Sequence, residues 1–451
     1  MKAGDVLFWI WLSEALGHCS RSFRNLIGLY ENPYDLFHAE EAEIERIPRI
    51  SNRVRAALSN KSLAGASAIL DRCEKLGVGI VTYGDEEYPY SLRDLSEPPV
   101  LLYYKGELPD LNRRLCIGMV GARHMSAYGL RAAYKIGYEL ALLNAIVVSG
   151  MAEGIDGVSA AAAMTAAEGS TVAVLGSGVD VVYPKHHKGL YEEILKKGAL
   201  ISEYPPGTRP LSYHFPVRNR IISGLSQGTL VVEAGMRSGS LITAKDAVLQ
   251  GRDVYALPAN VGNSGSEGTN RLLRDGAKPI LSASDITANY EYVYAATLCP
   301  ERLWGDAGKH EADLAYLARL GVIELSDGGT RPPKRETRHT VPTPSTRQEQ
   351  RYASVKKESH DKQAEPNPSK AQSTAEATPA RAPAQRTPDQ ILSSLTPVQL
   401  AVLEAIPDDR AIAADSLAAL GHPYGETVAA LTMLEIMGLI QKLPGALYKK
   451  A

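Results

Sequence analysis

Three glycine-bearing loops, each following a short apolar run, carry the residue types best suited to chemistry in this 451-residue chain. They are Gly121-Ala122-Arg123 after residues 115–120, Ser149-Gly150-Met151-Ala152-Glu153-Gly154-Ile155-Asp156 after residues 146–148, and Gly176-Ser177-Gly178 after residues 172–175. Glycine permits positive φ and close backbone approach, and a strand-to-helix loop directs amides, at the positive end of a helix dipole, toward an anion. Gly121, Ser149, Gly150, Gly154, Gly176 and Gly178 are therefore candidate ligand groups. One such loop is weak evidence; three in succession make a phosphate-binding rim.

A second constellation, Phe215-Pro216-Val217-Arg218-Asn219-Arg220, adds charge. Arg123, Arg218 and Arg220 suit bidentate phosphate contact, with Asn219 a donor between the last two. The competing reading makes one of Arg218 and Arg220 an internal ion-pair partner, to Glu233 or Asp156. Ser240 and Thr243 cap the following helix or bond a phosphate. Tyr183, Pro184 and Tyr213 either stack on bases or pack in a core. Donors spread along several strand ends suit a chain of phosphates better than one nucleotide, and backbone contacts carry no base information.

Other chemistries lack their residues. Without GxxxxGK[ST] the P-loop reading fails at its lysine, and no GxGxxG stands before an acidic ribose ligand. His186, His187 and His214 have no metal-ligand spacing or cysteine partner and are read as surface or loop histidines. Cys19, Cys73, Cys116 and Cys299 lie far apart with no CxxC pair, against a zinc ribbon, an iron–sulfur cluster or a disulfide scaffold. Neither metal nor cofactor is expected, and a reducing cytoplasm is the expected compartment. The apolar run 6–12 is too short for a membrane span and is flanked by Asp5 and Glu14, so no span is expected.

The elements that must position these residues follow from the pattern. Apolar runs ending at Val120, Val148, Leu175, Val232 and Leu257 alternate with helical stretches. That alternation predicts an α/β fold, an extended Rossmann-like parallel sheet over residues 81–290 with ligands at the strand carboxyl ends. Residues 1–80 read as a small helical packing domain. Its stretch 44–58 has the rhythm of a helix–hairpin–helix, but Arg49 and Ser51 stand where such a hairpin wants glycine. Residues 291–329 are a short acidic extension. Residues 330–390 contain no Leu, Ile, Phe or Trp and nine of the 27 prolines, which predicts a disordered linker. Residues 391–451 read as a winged helix, with helices over 397–405, 415–420 and 425–437 and a strand pair turned at Pro444-Gly445. Its recognition helix lacks Lys and Arg, which favours protein contact over DNA. The net charge of -2 hides a positive middle block, 18 basic against 14 acidic side chains over residues 111–290.

From about Tyr88 to Ile280 the motifs YPYSL, EPPVLLYYKG, VGAR, SGMAEGID, VAVLGSGVDVVYP, LISEYPPG, FPVRNRIISGLS, VVEAGMRSGSLITA and GRDVYALP occur in order. In this series the chain resembles the DprA/Smf family. The resemblance implies an extended Rossmann core that binds single-stranded DNA, self-associates as a homodimer and loads the RecA recombinase onto incoming strands in natural transformation, without enzymatic activity. By matching motifs it implies that the glycine loops, Arg123, Arg218, Asn219 and Arg220, with Lys245 as an adjunct, form the DNA site. The chain departs from the family at Glu153, where a basic residue is usual, at Ala160 in place of histidine, and at Ala259 in place of glycine. The alternative is a nucleotide-processing or nucleotide-sensing Rossmann-like protein related to nucleoside-monophosphate phosphoribohydrolases; for the processing reading Glu233 is the residue that matters.

Overall fold

A computed structural model describes residues 3–304 except 19 and 167, then 311–326 and 329–331, and in the carboxy-terminal segment 397–407, 412–413, 430–431, 434, 439–443 and 447–450. The chain divides into two units, residues 1–362 and 363–451.

The first unit opens with six helices, α1 (Ala3–Leu16), α2 (Ser22–Ile27), α3 (Pro33–His38), α4 (Glu41–Arg46), α5 (Asn52–Ser59) and α6 (Ala64–Leu76). Trp9, Ile10, Trp11 and Leu12 are consecutive and all buried, so α1 is the central post of this bundle. In the hairpin between α4 and α5, Arg49 takes the left-handed conformation (φ 57°), and Ser51 accepts from Val54 N to cap α5. The bundle is not separate from the sheet: its core continues into Leu101, Tyr103 and Val179.

Then come β1 (Gly79–Thr82), α7 (Tyr90–Arg93), β2 (Leu101–Gly106), β3 (Cys116–Val120), α8 (Ala127–Leu142), β4 (Ile146–Ser149), α9 (Ile155–Ala163) and β5 (Ser170–Val174). A 3₁₀ turn over Lys185–His187 leads into α10 (Lys188–Lys197), β6 (Gly198–Ser202), α11 (His214–Leu225), β7 (Gly228–Val231), α12 (Ser240–Leu249), β8 (Asp253–Ala256), α13 (Glu267–Arg274) and β9 (Lys278–Pro279). The nine strands run in the order β1-β2-β6-β5-β4-β3-β7-β8-β9. Pairing is parallel from β6 to β9, and β2 and β1 add an antiparallel edge. The expected Rossmann-like parallel sheet is present and carries an antiparallel edge. The edge escaped the periodicity argument because β1 and β2, with only the short α7 between them, precede residues 115–257, whose strand–helix alternation carries that argument.

Side chains along the central strands alternate between two cores, as a pleat requires. Ile117, Met119, Val147, Ala173 and Leu230 face one core with α8 and α9; Cys116, Val120, Ile146, Val148 and Val231 face the other with α11 and α12. Both faces are covered, so the parallel strands read as unbroken apolar runs. The acidic segment after residue 291 joins the first core through Leu317, Val322 and Ile323, and Leu190 N donates to Leu320 O.

Helices α8 and α9 approach closely because their facing residues are small: Ala133, Gly137 and Ala141 against Ala160, Ala162 and Ala163. Ala160 is fully buried here. Of the three histidines read as surface or loop residues, His187 and His214 are corrected to buried ones. His187 is fully buried against Gly157 and donates from Nδ1 to Met151 O (3.2 Å), and His214 is buried on α11. His186 is partly buried. Burial lowers the pKa of both His187 and His214 to about 4.

In the second unit a helix spans Pro397–Ala405, and β12 (Ile412–Ala413), β13 (Ile440–Leu443) and β14 (Leu447–Lys450) form a sheet in the order β12-β14-β13. The strand pair matches the expected wing. Val402, Ile406, Leu431, Leu434 and Ile440 share a core. The helices expected over 415–420 and most of 425–437, the turn at 444–446 and the linker from 332 on lie outside the described residues. Among the described residues no helix is long and apolar enough to cross a membrane, and none of their His, Cys, Asp and Glu side chains group to hold a metal.

Two stability predictions follow from this packing. At Gly137 a Cβ would lie 2.9 Å from Ser159 O, whereas at Gly65 it meets nothing. Gly137→Val is expected to cost about 1–3 kcal/mol by overpacking the α8–α9 seam, and Gly65→Ala to be neutral or stabilising by up to about 1 kcal/mol; urea unfolding checks both. For His187 the unfolded chain takes up its proton near the ordinary value of 6.5 and the folded chain only near 4. Stability therefore falls as pH drops through that window and levels off below it, by up to about 3 kcal/mol at ~1.4 kcal/mol per pH unit. His187→Asn should unfold with a shallower pH dependence than the parent between these limits; parallel curves would refute the assignment.

Candidate nucleic-acid interface

The strand order places a topological switch between β3 and β7, since the chain leaves β3 toward β4 and leaves β7 toward β8 on the other side. In open α/β sheets the crevice beyond such a point is the usual ligand site. Here it is filled from within. Glu233, buried just after β7, accepts from Ser126 N (2.8 Å) at the start of α8, and its carbonyl accepts from Ala122 N (2.7 Å). Gly129 leaves room for that carboxylate, since a Cβ there would collide with it. Glu233 is a brace, not a group facing an open site.

The expected rim of unengaged amides is also corrected. Gly150 N donates to Asp156 (3.0 Å), and Ala152 N bonds the same carboxylate. Ile155 N donates to Ala122 O and Gly178 N to Thr208 O. The anion at the start of α9 is thus the protein's own Asp156, fully buried, its pKa raised by desolvation against the pull of Arg218, these amides and Arg123. The glycines chiefly let loops touch one another. Gly154 (φ 78°) is pressed against the carbonyls of Ala122 and Arg123, where a side chain would collide. At Gly150 a Cβ would lie 2.5 Å from the Arg218 guanidinium. Gly121 packs on Ile155, Gly176 beneath the Phe215 ring and Gly178 beside Asp180 and Gly207, while the Ser149 hydroxyl is buried without a hydrogen-bond partner.

Arg218 and Arg220, two residues apart on α11, take different directions. Arg218 donates to the carbonyls of Gly150 and Val174, at the ends of β4 and β5, while its Nε is buried without a partner. Burial lowers its pKa to about 10, partly opposed by Asp156. Arg220 is turned inward and held by both carboxylate oxygens of Glu203 (2.6 and 2.7 Å). Both arginines are thus internal: Arg220 pairs with Glu203, and Arg218 has Asp156, one of the two partners anticipated, as its compensating charge. Burial, countered by Arg220 and Lys245, lifts Asp246 on α12 to about 6. Asn219 is half-buried and Lys245 exposed on α12. Ser240 does not cap α12; Ser238 Oγ accepts from Ser240 N instead (3.4 Å).

What the fold does assemble is a narrow cleft of about 20 Å³ over the ends of β4 and β5, lined by Arg123, Gly150, Ala152, Glu153, Tyr183, Pro184, Phe215 and Arg218. Arg123 is exposed. Tyr183 and Phe215 are stacked with ring centroids 5.3 Å apart, and the Arg218 guanidinium lies 5.9 Å from the Phe215 centroid. Of the residues anticipated from sequence, Arg123, Gly150 and Arg218 line this cleft. Gly121, Ser149, Gly154, Gly176, Gly178, Asn219, Arg220 and Lys245 do not. Phe215 was missed as an aromatic wall; its place one turn before Arg218 was the available signal. Tyr213 packs edge-on against His214.

Comparison with known proteins agrees with the motif series. Residues 79–291 match the family described as DNA recombination-mediator protein A, and residues 372–446 match the DprA winged helix domain. The chain is 44% identical over 210 residues to the DNA processing protein DprA of Streptococcus pneumoniae, covering 46% of this chain and 73% of that protein. It is 42% identical over 214 residues to the protein Smf of Escherichia coli, covering 47% and 57% respectively. The X-ray structure of DprA from Streptococcus pneumoniae superposes with a TM-score of 0.56 at 34% identity, over 62% of this chain and 97% of that one. With two domain matches, this level of identity and a shared sheet architecture, the chain belongs to the DprA/Smf family of DNA-processing proteins.

Proposed function

We propose that this protein binds single-stranded DNA at the cleft over β4 and β5 and hands the strand to a recombinase of the RecA type, acting in the cytoplasm by binding rather than by covalent chemistry. The observation that carries the reading is the union, in one cleft, of two arginines with a stacked aromatic pair. The exposed Arg123 guanidinium takes phosphate and the outer face of Tyr183, backed by Phe215, takes bases, the two components of sequence-tolerant single-strand binding. Arg123 contacts the strand; Arg218 shapes the wall and supplies field from beneath. Gly121, Gly154, Gly176 and Gly178, with Ser149, set the loop contour. Asn219, Arg220 and Lys245 stand behind the cleft or beside it rather than on its wall. Membership of the family supports the recombinase step and a homodimeric state. The position of Glu233, buried and engaged with two loops, supports binding over nucleotide hydrolysis.

Fluorescence anisotropy of a labelled mixed-sequence oligonucleotide tests this. Arg123→Ala should weaken binding about tenfold, the loss of one charged hydrogen bond, and lower the salt slope by about 0.7 log units per log unit of salt. Tyr183→Ala should weaken it by about 1–3 kcal/mol through lost stacking. Arg220→Ala should instead cost about 3–5 kcal/mol of stability by leaving Glu203 buried and unpaired, visible as a drop in Tm. Unchanged affinity in both Arg123→Ala and Tyr183→Ala would move the DNA site elsewhere. For the second step, removal of residues 391–451 should leave strand binding intact and the loss of a protein partner should be measurable by pull-down.

A further inference from the structure

One cleft residue has the wrong charge for a phosphate site. Glu153 lies on the cleft wall between Ala152 and Gly154, with only 10% of its side chain exposed. Its Oε1 is 4.0 Å from His186 Nε2. The positive-φ conformation of Gly154 and the Asp156 bonds to Gly150 and Ala152 hold this loop, so the carboxylate is presented by a rigid support. A carboxylate here repels the DNA backbone; it accepts hydrogen bonds and offers none. Tyr183, stacked on Phe215 and itself exposed, provides one flat ring face, and exposed Arg123 provides a phosphate contact.

Resting on the single-strand reading above, we propose that Glu153 makes this cleft selective among bases: its carboxylate accepts from the exocyclic amino group of cytosine, adenine or guanine, and thymine and uracil are disfavoured. With the phosphate on Arg123 and the base against Tyr183, the base edge is what reaches a wall carboxylate. Cytosine and adenine present one amino group and guanine an amino group beside a ring N–H, all donors to a carboxylate. Thymine and uracil present one ring N–H flanked by two carbonyl oxygens, which face the carboxylate with like partial charge. Because the side chain is largely removed from water, an unmatched edge is penalised more than it would be on an exposed surface.

The test compares oligodeoxycytidine with oligodeoxyuridine of about 12 nucleotides, within the span of one single-strand site. The two bases share a ring size and differ at the amino or carbonyl group of position 4. The wild-type protein should bind the cytidine strand about three- to tenfold more tightly, equivalent to ~0.7–1.4 kcal/mol. Glu153→Gln, whose amide both donates and accepts, should bring the two strands to within about twofold. Glu153→Lys should bind both more tightly than wild type with the preference gone. Equal wild-type affinity for the two strands overturns the proposal without any variant, as does a preference that survives both substitutions. Binding of neither strand, nor of a mixed sequence, would instead overturn the single-strand reading on which it rests.

Discussion

The architecture of the cleft depends on burying one guanidinium. Arg218 is enclosed at the carboxyl ends of β4 and β5, where it donates to the carbonyls of Gly150 and Val174. A buried cation in such a place must be met by acceptors and by negative charge. The two carbonyls supply the first and Asp156 the second. Asp156 is in turn held by the amides of Gly150 and Ala152, so α11, the ends of β4 and β5 and the start of α9 form one connected polar unit. Removing either charge strands the other.

This unit explains where the open space lies. The switch-point crevice between β3 and β7 is closed by Glu233, and the helix terminus that would bind an external anion is occupied by Asp156. Space remains farther out, above the loops, where Arg123 projects and the Tyr183–Phe215 pair forms a wall. A second buried pair, Arg220 with Glu203, lies on another side of α11, so adjacent positions of one motif serve separate tasks.

Much of this was legible beforehand. The motif series located the family, and the apolar runs at Val120, Val148, Leu175 and Val232 located four central strands within a residue or so. Glycines and arginines were singled out as ligand groups, and at several positions the fold gives them a packing reason instead. Gly154 and Gly150 are needed because loops and a guanidinium press against them, a contact between segments far apart in sequence. Arg218 and Arg220 look interchangeable in sequence, and helical geometry sends residues two apart to different sides. Buried His187 and His214 looked like loop histidines because the core that covers them comes from other segments.

The sequence by itself determined the local facts: which segments are strands and helices, where small residues allow α8 and α9 to touch, and which family pattern the chain carries. Those follow from periodicity and residue size, properties of near neighbours. Tertiary structure alone decided which charges face inward, since burial and pairing depend on what distant segments bring to the same place. It therefore decided that Asp156 and Glu233 fill the anion site and the crevice, and that Arg123, Glu153, Tyr183 and Phe215, from four separate stretches, share one cleft.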